Sequence, residues 1–256
     1  MEHPDAELPA QPGTIDKAID ILFHLHGAPE PQGVSAVGRA LGLPKSSVHR
    51  LLATLARRGF VERDERGRYR PGIGLLALGL GVQEREPVVV AARPVLEEES
   101  DALGETFFLV GLWAAEIVVL DKVEGTGFLR AAPQIGSSVP LHATAVGKLF
   151  LAFAPAEIAL PAGTLEAFTE RTAVDPGALR AGVAETKLRR WASNLDEWHA
   201  GLSVLAAPVL VAERMAAAVA VALSSPRLEE LGEEALARRV VAAGHRIAQR
   251  LQGGTA

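Results

Sequence analysis

Cysteine is absent from the 256-residue chain, which excludes disulfides, thiol catalysis and cysteine-based zinc sites and fits a cytoplasmic protein. No apolar run stays free of charge for the ~20 residues that a membrane-crossing helix needs. Residues 1–12 are acidic and proline-rich. They lack the basic and apolar regions of a signal peptide and read as a disordered tail. Internal repeats are lacking too. What is present is a globular composition, 48% hydrophobic and 22% charged, on a chain long enough for two domains.

Positive charge is scarce overall, with a net charge of −5, yet it is unevenly spread. Residues 35–72 carry nine basic side chains (Arg39, Lys45, Arg50, Arg57, Arg58, Arg63, Arg66, Arg68, Arg70) against three acidic ones, a local balance of +6. The segments before and after it are acidic. A basic module on an acidic body is the electrostatic footprint of phosphate binding, although a solvated helix face is a commoner cause of local excess.

The pattern predicts a first helix capped by Thr14 and running to about His26. A short second helix follows, capped by Ser35 and ending at Gly42, and then a third from Pro44 to Arg58 with Val48, Leu51, Leu52 and Leu55 on one face. Phe60–Arg63 and Arg68–Arg70 predict a hairpin turned by Gly67. Residues 72–86 read as an apolar helix that must be covered on all sides. A further helix over 88–103 is expected to be interrupted at Pro94. Strand-like runs at 107–113, 117–123, 127–132, 202–210 and 216–224 predict an antiparallel α+β domain with helices at 144–152, roughly 155–192 and 228–252.

The most informative stretch is Ser35-Ala36-Val37-Gly38-Arg39-Ala40-Leu41-Gly42-Leu43-Pro44-Lys45-Ser46-Ser47-Val48-His49-Arg50. A helix-turn-helix needs a small residue where its helices cross (Gly38), a glycine in the turn (Gly42) and apolar locking residues (Val37, Leu41, Leu43, Val48, Leu51). The outward face then offers Arg39, Lys45, Ser46, Ser47, His49 and Arg50 to bases and phosphates of a major groove, and the hairpin offers Arg66, Arg68 and Tyr69 as a wing. His49 taken alone reads equally well as an uninvolved surface residue.

With these residues in place, the chain resembles the IclR-type (isocitrate-lyase-regulator) family of bacterial transcription factors from Thr14 to about Leu251. The likeness rests on the Val34–Arg70 module, on Leu75–Leu80, on Leu141-His142-Ala143-Thr144-Ala145-Val146-Gly147-Lys148-Leu149-Phe150-Leu151-Ala152, and on Glu197-Trp198-His199-Ala200-Gly201-Leu202-Ser203-Val204-Leu205-Ala206-Ala207-Pro208-Val209. The resemblance implies a tail at 1–12, a DNA-binding domain at 13–72, a linker and dimerisation helix at 73–92, and a GAF-like effector domain at 93–256. It also implies a homodimer or homotetramer binding double-stranded operator DNA and a small organic acid, without cofactor, metal or membrane. It places Phe128, Ala131, Val139, Thr144, Ala145, Val146, Asn194, Leu202, Val204 and Ser224 around the acid. Physically, Thr144 to Lys148 enters a helix N-terminus, where amide groups and the dipole favour a carboxylate. Phe128, Val139, Leu202 and Val204 read equally well as plain core. In two departures, Asn194 stands where an acidic residue is common and Ala222 where a serine is frequent. Both point to a less polar pocket, suited to an aromatic acid such as a hydroxybenzoate.

Some patterns imitate enzymes. Gly72-Ile73-Gly74-Leu75-Leu76-Ala77 matches a dinucleotide fingerprint but follows an exposed basic strand. Gly147-Lys148 lacks the rest of a phosphate loop. His142, His199 and His245 have no metal-ligand spacing, and Ser137 and Ser138 lack a nucleophile-elbow context. One alternative reading is an enzyme of small-acid metabolism using His142 with Asp121 or Glu197; it leaves the basic module unexplained. A second is a regulator of this type whose large domain mediates only oligomerisation.

Overall fold

The computed structural model describes residues 13–113, 116–127, 133–154, 156, 158–161 and 163–253. The chain divides into two compact units, Met1–Gln83 and Glu84–Ala256. The expected tail at 1–12 lies outside the described residues.

In the first unit, α1 (Thr14–Gly27), α2 (Val34–Ala40) and α3 (Lys45–Arg57) precede a hairpin of β1 (Val61–Arg63) and β2 (Tyr69–Pro71), and α4 (Ile73–Gln83) closes it. Ile21, Leu25, Val37, Val48, Leu51, Leu52, Val61 and Tyr69 form one core. The caps differ from the sequence expectation. Gly13, not Thr14, precedes α1, and its N–H donates to the Asp16 carboxylate at 2.6 Å. Gly33, not Ser35, precedes α2, and Pro44 sits outside α3 with extended backbone. Gln32 and Tyr69 exchange backbone hydrogen bonds at 2.8 Å, an extra rung beside the hairpin.

The glycines of the imitation fingerprint have a packing cause. A Cβ on Gly72 would lie 2.4 Å from the Gly59 carbonyl oxygen, and one on Gly74 would lie 2.8 Å from it. The start of α4 is thus pressed against the end of the helix-turn-helix, where side chains do not fit. Despite its apolar composition, no residue of α4 is buried within this chain; Ile73 is 66% exposed and Val82 65%.

In the second unit, α5 (Pro87–Leu103) leads into a five-stranded antiparallel sheet of order β4-β3-β7-β6-β5. Its strands are β3 (Thr106–Trp113), β4 (Glu116–Val123), β5 (Ala192–Leu195), β6 (Leu202–Val211) and β7 (Arg214–Ser224). One face packs with α5 and with α9 (Glu233–Gly253). The other face packs with α6 (Ala145–Phe153) and α7 (Pro176–Arg189). Gly244 lets α9 approach β6, since a Cβ there would meet the Pro208 carbonyl oxygen at 2.8 Å.

Several expectations are corrected. Helix α5 runs through Pro94 unbroken, because the ring and Val90, whose carbonyl it deprives of a partner, are both exposed to water. The 92/93 boundary therefore falls inside a continuous helix, and the 73–92 linker is two helices, α4 and the start of α5. The C-terminal helix is also two, α8 (Ser225–Leu231) and α9, separated by Gly232 at φ +80°. Of the expected 155–192 helical region only α7 is helical among the described residues; the stretch before it is turns and irregular chain, and β5 begins at its last residue, Ala192. The strand expected at 127–132 lies, apart from Gly127, outside the described residues. A bulge opposite Leu109/Val110 shifts the β3–β4 register, so that Asp121 sits beside Leu109 on the α5 face.

Candidate functional site

The α2–turn–α3 geometry follows from a few residues. A Cβ on Gly38 would touch the Leu43 carbonyl oxygen at 3.0 Å, and Gly42 has φ +64°, so the helices cross closely and the chain reverses sharply. Burying Val48, Leu51 and Leu52 turns Lys45, Ser46, His49 and Arg50 to solvent on the opposite side of α3; Ser47 is half-buried at its edge. Arg39 projects from the end of α2. The first-turn amides of α3 have no helical acceptor and add to the attraction for anions.

The nine basic residues behave differently from one another. Arg70 pairs with Glu62 at 2.9 Å and Arg68 with Asp64 at 3.0 Å, while Arg63 lies over the Tyr69 ring. Arg39, Lys45, Arg50, Arg58 and Arg66 are exposed with no ion-pair partner among the described residues. Tyr69, expected in the wing, is 4% exposed and belongs to the core; alternation along β2 points it inward. Arg68 is held by Asp64, whose carboxyl lies below its ordinary value, first because the Arg68 backbone N–H donates to it and further because of the Arg68 guanidinium. Of the three expected wing residues, Arg66 is the unencumbered one.

In the second unit, Val139, Ala145, Val146, Leu202 and Val204 share the core on the α6/α7 face. The register sets Asn194 opposite Val204 and Ser224 opposite Leu202, so both polar residues join that face. Thr144 caps α6, accepting from the Gly147 N–H at 3.0 Å and donating to the Pro140 carbonyl at 2.6 Å. Ser224 caps α8. Phe128 and Ala131 lie outside the described residues. Asn194 is 1% exposed; its Oδ1 accepts the Glu197 N–H at 2.9 Å, and its Nδ2 has no hydrogen-bond partner among the described residues. Sequence reasoning missed the pair beside it, Lys148 Nζ at 2.5 Å from Glu197 Oε1 and 3.1 Å from the Ser193 carbonyl. An open cleft of about 400 Å³ borders this pair.

The enzyme alternative is not assembled. His142 Nε2 meets the Glu166 carbonyl at 2.8 Å, Glu197 pairs with Lys148, and Asp121 lies on the other side of the sheet, ion-paired with Arg93 of α5 at 2.7 Å. The described residues hold no group of three metal-ligating side chains, and none of their helices is long and apolar enough to cross a membrane.

Residues 81–249 match the C-terminal domain of the bacterial transcriptional regulator IclR, and residues 14–65 match the IclR helix-turn-helix domain. The chain belongs to the IclR family. It is 36% identical, over 82% of its length and 84% of the relative's, to the protein named "Probable transcriptional regulator SauR" of Cupriavidus necator. It is 32% identical, over 79% of its length and 80% of the relative's, to the glycerol operon regulatory protein of Streptomyces coelicolor. Among solved structures, an IclR homologue of Microbacterium hydrocarbonoxydans complexed with 4-hydroxybenzoate shares the fold, with TM-score 0.79 at 20% identity over 94% of this chain and all of that one. This IclR-family chain is thus a DNA-binding transcriptional regulator. The family's helix-turn-helix match covers α1 to β1, the segment that carries Arg39, Lys45, Arg50 and Arg58, which have no ion-pair partner among the described residues.

Proposed function

We propose that this regulator reads operator DNA with the exposed face of α3 and releases or rearranges on that DNA when its second unit binds a small organic acid, in control of a catabolic operon. The observation that carries the reading is that Arg39 of α2 and Lys45 and Arg50 of α3 are exposed without an ion-pair partner among the described residues. Phosphate contacts from such groups supply affinity, and Ser46, Ser47, His49 and Arg50 supply base contacts. A homodimer, or a homotetramer built from two, would place two such faces on a pseudo-palindrome; the uncovered apolar side chains of α4 suit a second copy. Thr144, Ala145, Val146, Asn194, Leu202, Val204 and Ser224, with Val139, Phe128 and Ala131, would surround the acid. An aromatic carboxylate is favoured by the weakly polar lining, with Ala222 and Asn194 in place of a serine and an acid, and by the 4-hydroxybenzoate held by the Microbacterium homologue. The protein would act in the cytoplasm.

The test is a mobility-shift titration of the full chain on DNA from upstream of its own gene, with and without a panel of 4-hydroxybenzoate, benzoate, pyruvate, glyoxylate and glycerol. Arg50→Ala should weaken operator binding about 10- to 100-fold and reduce the salt slope by about one. An unchanged affinity would remove α3 as the reading helix. A response to glycerol and to none of the acids would overturn the acid reading.

A further inference from the structure

The one hydrogen-bonding group of Asn194 that the fold leaves unused defines what its ligand must offer. An asparagine amide can ordinarily be turned to exchange oxygen and nitrogen. Here it cannot. The Glu197 backbone N–H can only donate, and it points at Oδ1 from 2.9 Å; turning the amide would bring two donors together. Nδ2 is therefore the free end, on a buried residue that shares its sheet face with Val204 of the apolar core, and it has no partner among the described residues. An unpaired buried donor is destabilising, and an acceptor for the Glu197 N–H alone would not need one.

The turn that imposes this orientation is held on several sides. Lys148, one helical turn beyond the Thr144 cap, reaches across to the residues flanking Asn194, binding the Ser193 carbonyl and the Glu197 carboxylate. The Thr172 hydroxyl donates to the Glu197 carbonyl at 2.6 Å, and the Thr169 hydroxyl donates to the Asp196 carbonyl at 2.6 Å. Glu197 is thus fixed through its side chain, its N–H and its carbonyl together.

We infer that Asn194 is a committed hydrogen-bond donor to an acceptor oxygen of the effector, a carboxylate or carbonyl group, and that the Lys148–Glu197 pair is the positioning device that commits it. The inference rests on the reading that Asn194 lines the effector site. With Oδ1 taken by the Glu197 N–H, this asparagine can only donate, so its ligand must present an acceptor at that end.

The experiment uses isothermal titration of the full chain with two pairs of probes, each pair matching one skeleton with an acceptor or a donor head: 4-hydroxybenzoate with 4-hydroxybenzylamine, and butyrate with butylamine. The wild type should bind a carboxylate and reject its amine. Asn194→Asp keeps an oxygen for the Glu197 N–H while replacing the donor with an acceptor. With its fold verified by circular dichroism, it should lose at least about 30-fold in carboxylate affinity and discriminate less against the amine. Lys148→Met should lose about 10-fold, and Lys148→Arg should recover most of that. Asn194→Asp should weaken binding much less when combined with Lys148→Met than it does alone. A carboxylate bound equally by wild type and Asn194→Asp overturns the donor assignment and leaves the acid reading standing. Additive losses in the double variant overturn the positioning role of Lys148. Failure of the wild type to bind either carboxylate overturns both this inference and the acid reading.

Discussion

The two units differ in where they place their matched charges, exposed on the hairpin of the first and reaching buried acids in the second. In the first, Arg39, Lys45, Arg50, Arg58 and Arg66 face water without an ion-pair partner among the described residues. In the second, acids are drawn inward and matched: Glu99 of α5 takes both Arg239 and Arg246 of α9, Asp121 takes Arg93, Glu105 takes Arg227, and Glu197 takes Lys148. Exposed, unmatched cations keep their hydration and attract a polyanion at long range. Matched buried charges contribute little net stability but destabilise the fold when one partner is lost, which favours one arrangement over others. Among the described residues, the first unit leaves a set of cations on its helix-turn-helix and hairpin unmatched, whereas the second matches its buried acids from within.

The largest effect expected from disturbing this contrast is in the second unit. A Cβ on Gly147 would lie 2.0 Å from the Leu141 carbonyl oxygen, so Gly147→Ala must move the loop before α6 or the helix itself. Chemical denaturation should register a loss of about 3 kcal/mol; a loss below about 1 kcal/mol would mean that this loop yields easily. Next comes Glu99→Ala, which strands two arginines whose outer atoms still reach water. It should cost about 2 kcal/mol, less than a fully buried pair would, and a Tm equal to wild type would show that the Glu99 pairs add nothing to the packing of α5 with α9.

The smallest effect belongs to the wing. The folded pKa of Asp64 is lowered from 3.8, mainly by the Arg68 backbone N–H. A depressed carboxylate contributes stability above its unfolded value and loses it as pH falls through the lower folded value. The protection of the hairpin amides against hydrogen exchange, taken relative to the intrinsic rate at each pH, should therefore fall as the pH is taken below about 3.8, and Asp64→Asn should remove that loss of protection. The same pH response in the variant would show that the carboxylate is not its source.

How much of this was legible in the sequence depends on how local each cause is. The helix-turn-helix was legible because Gly38, Gly42 and the spacing of Val48, Leu51 and Leu52 act within a few residues of one another. Strand β5 was not: Ala192-Ser193-Asn194-Leu195 has little strand propensity and is extended because β6 pairs with it. Tyr69 read as a wing residue from its arginine neighbours, but strand alternation turned it into the core. The Lys148–Glu197 pair joins positions far apart in the chain, which no spacing announces. Its geometry supports the sequence-derived interest in Asn194 while changing its meaning, from a weakly polar wall to an unused donor.

The seating of α4 on Gly59 has a mechanical consequence. The Gly72 N–H is bonded to Phe60, and the Gly74 N–H to Gly59, both at 2.9 Å, with no room between the two stretches of chain for even a methyl group. A torque applied to the start of α4 cannot be absorbed at that junction; it passes to the residues directly after α3. The junction is a tightly fitted one, and a bulkier residue at position 72 or 74 would have to push the two stretches apart.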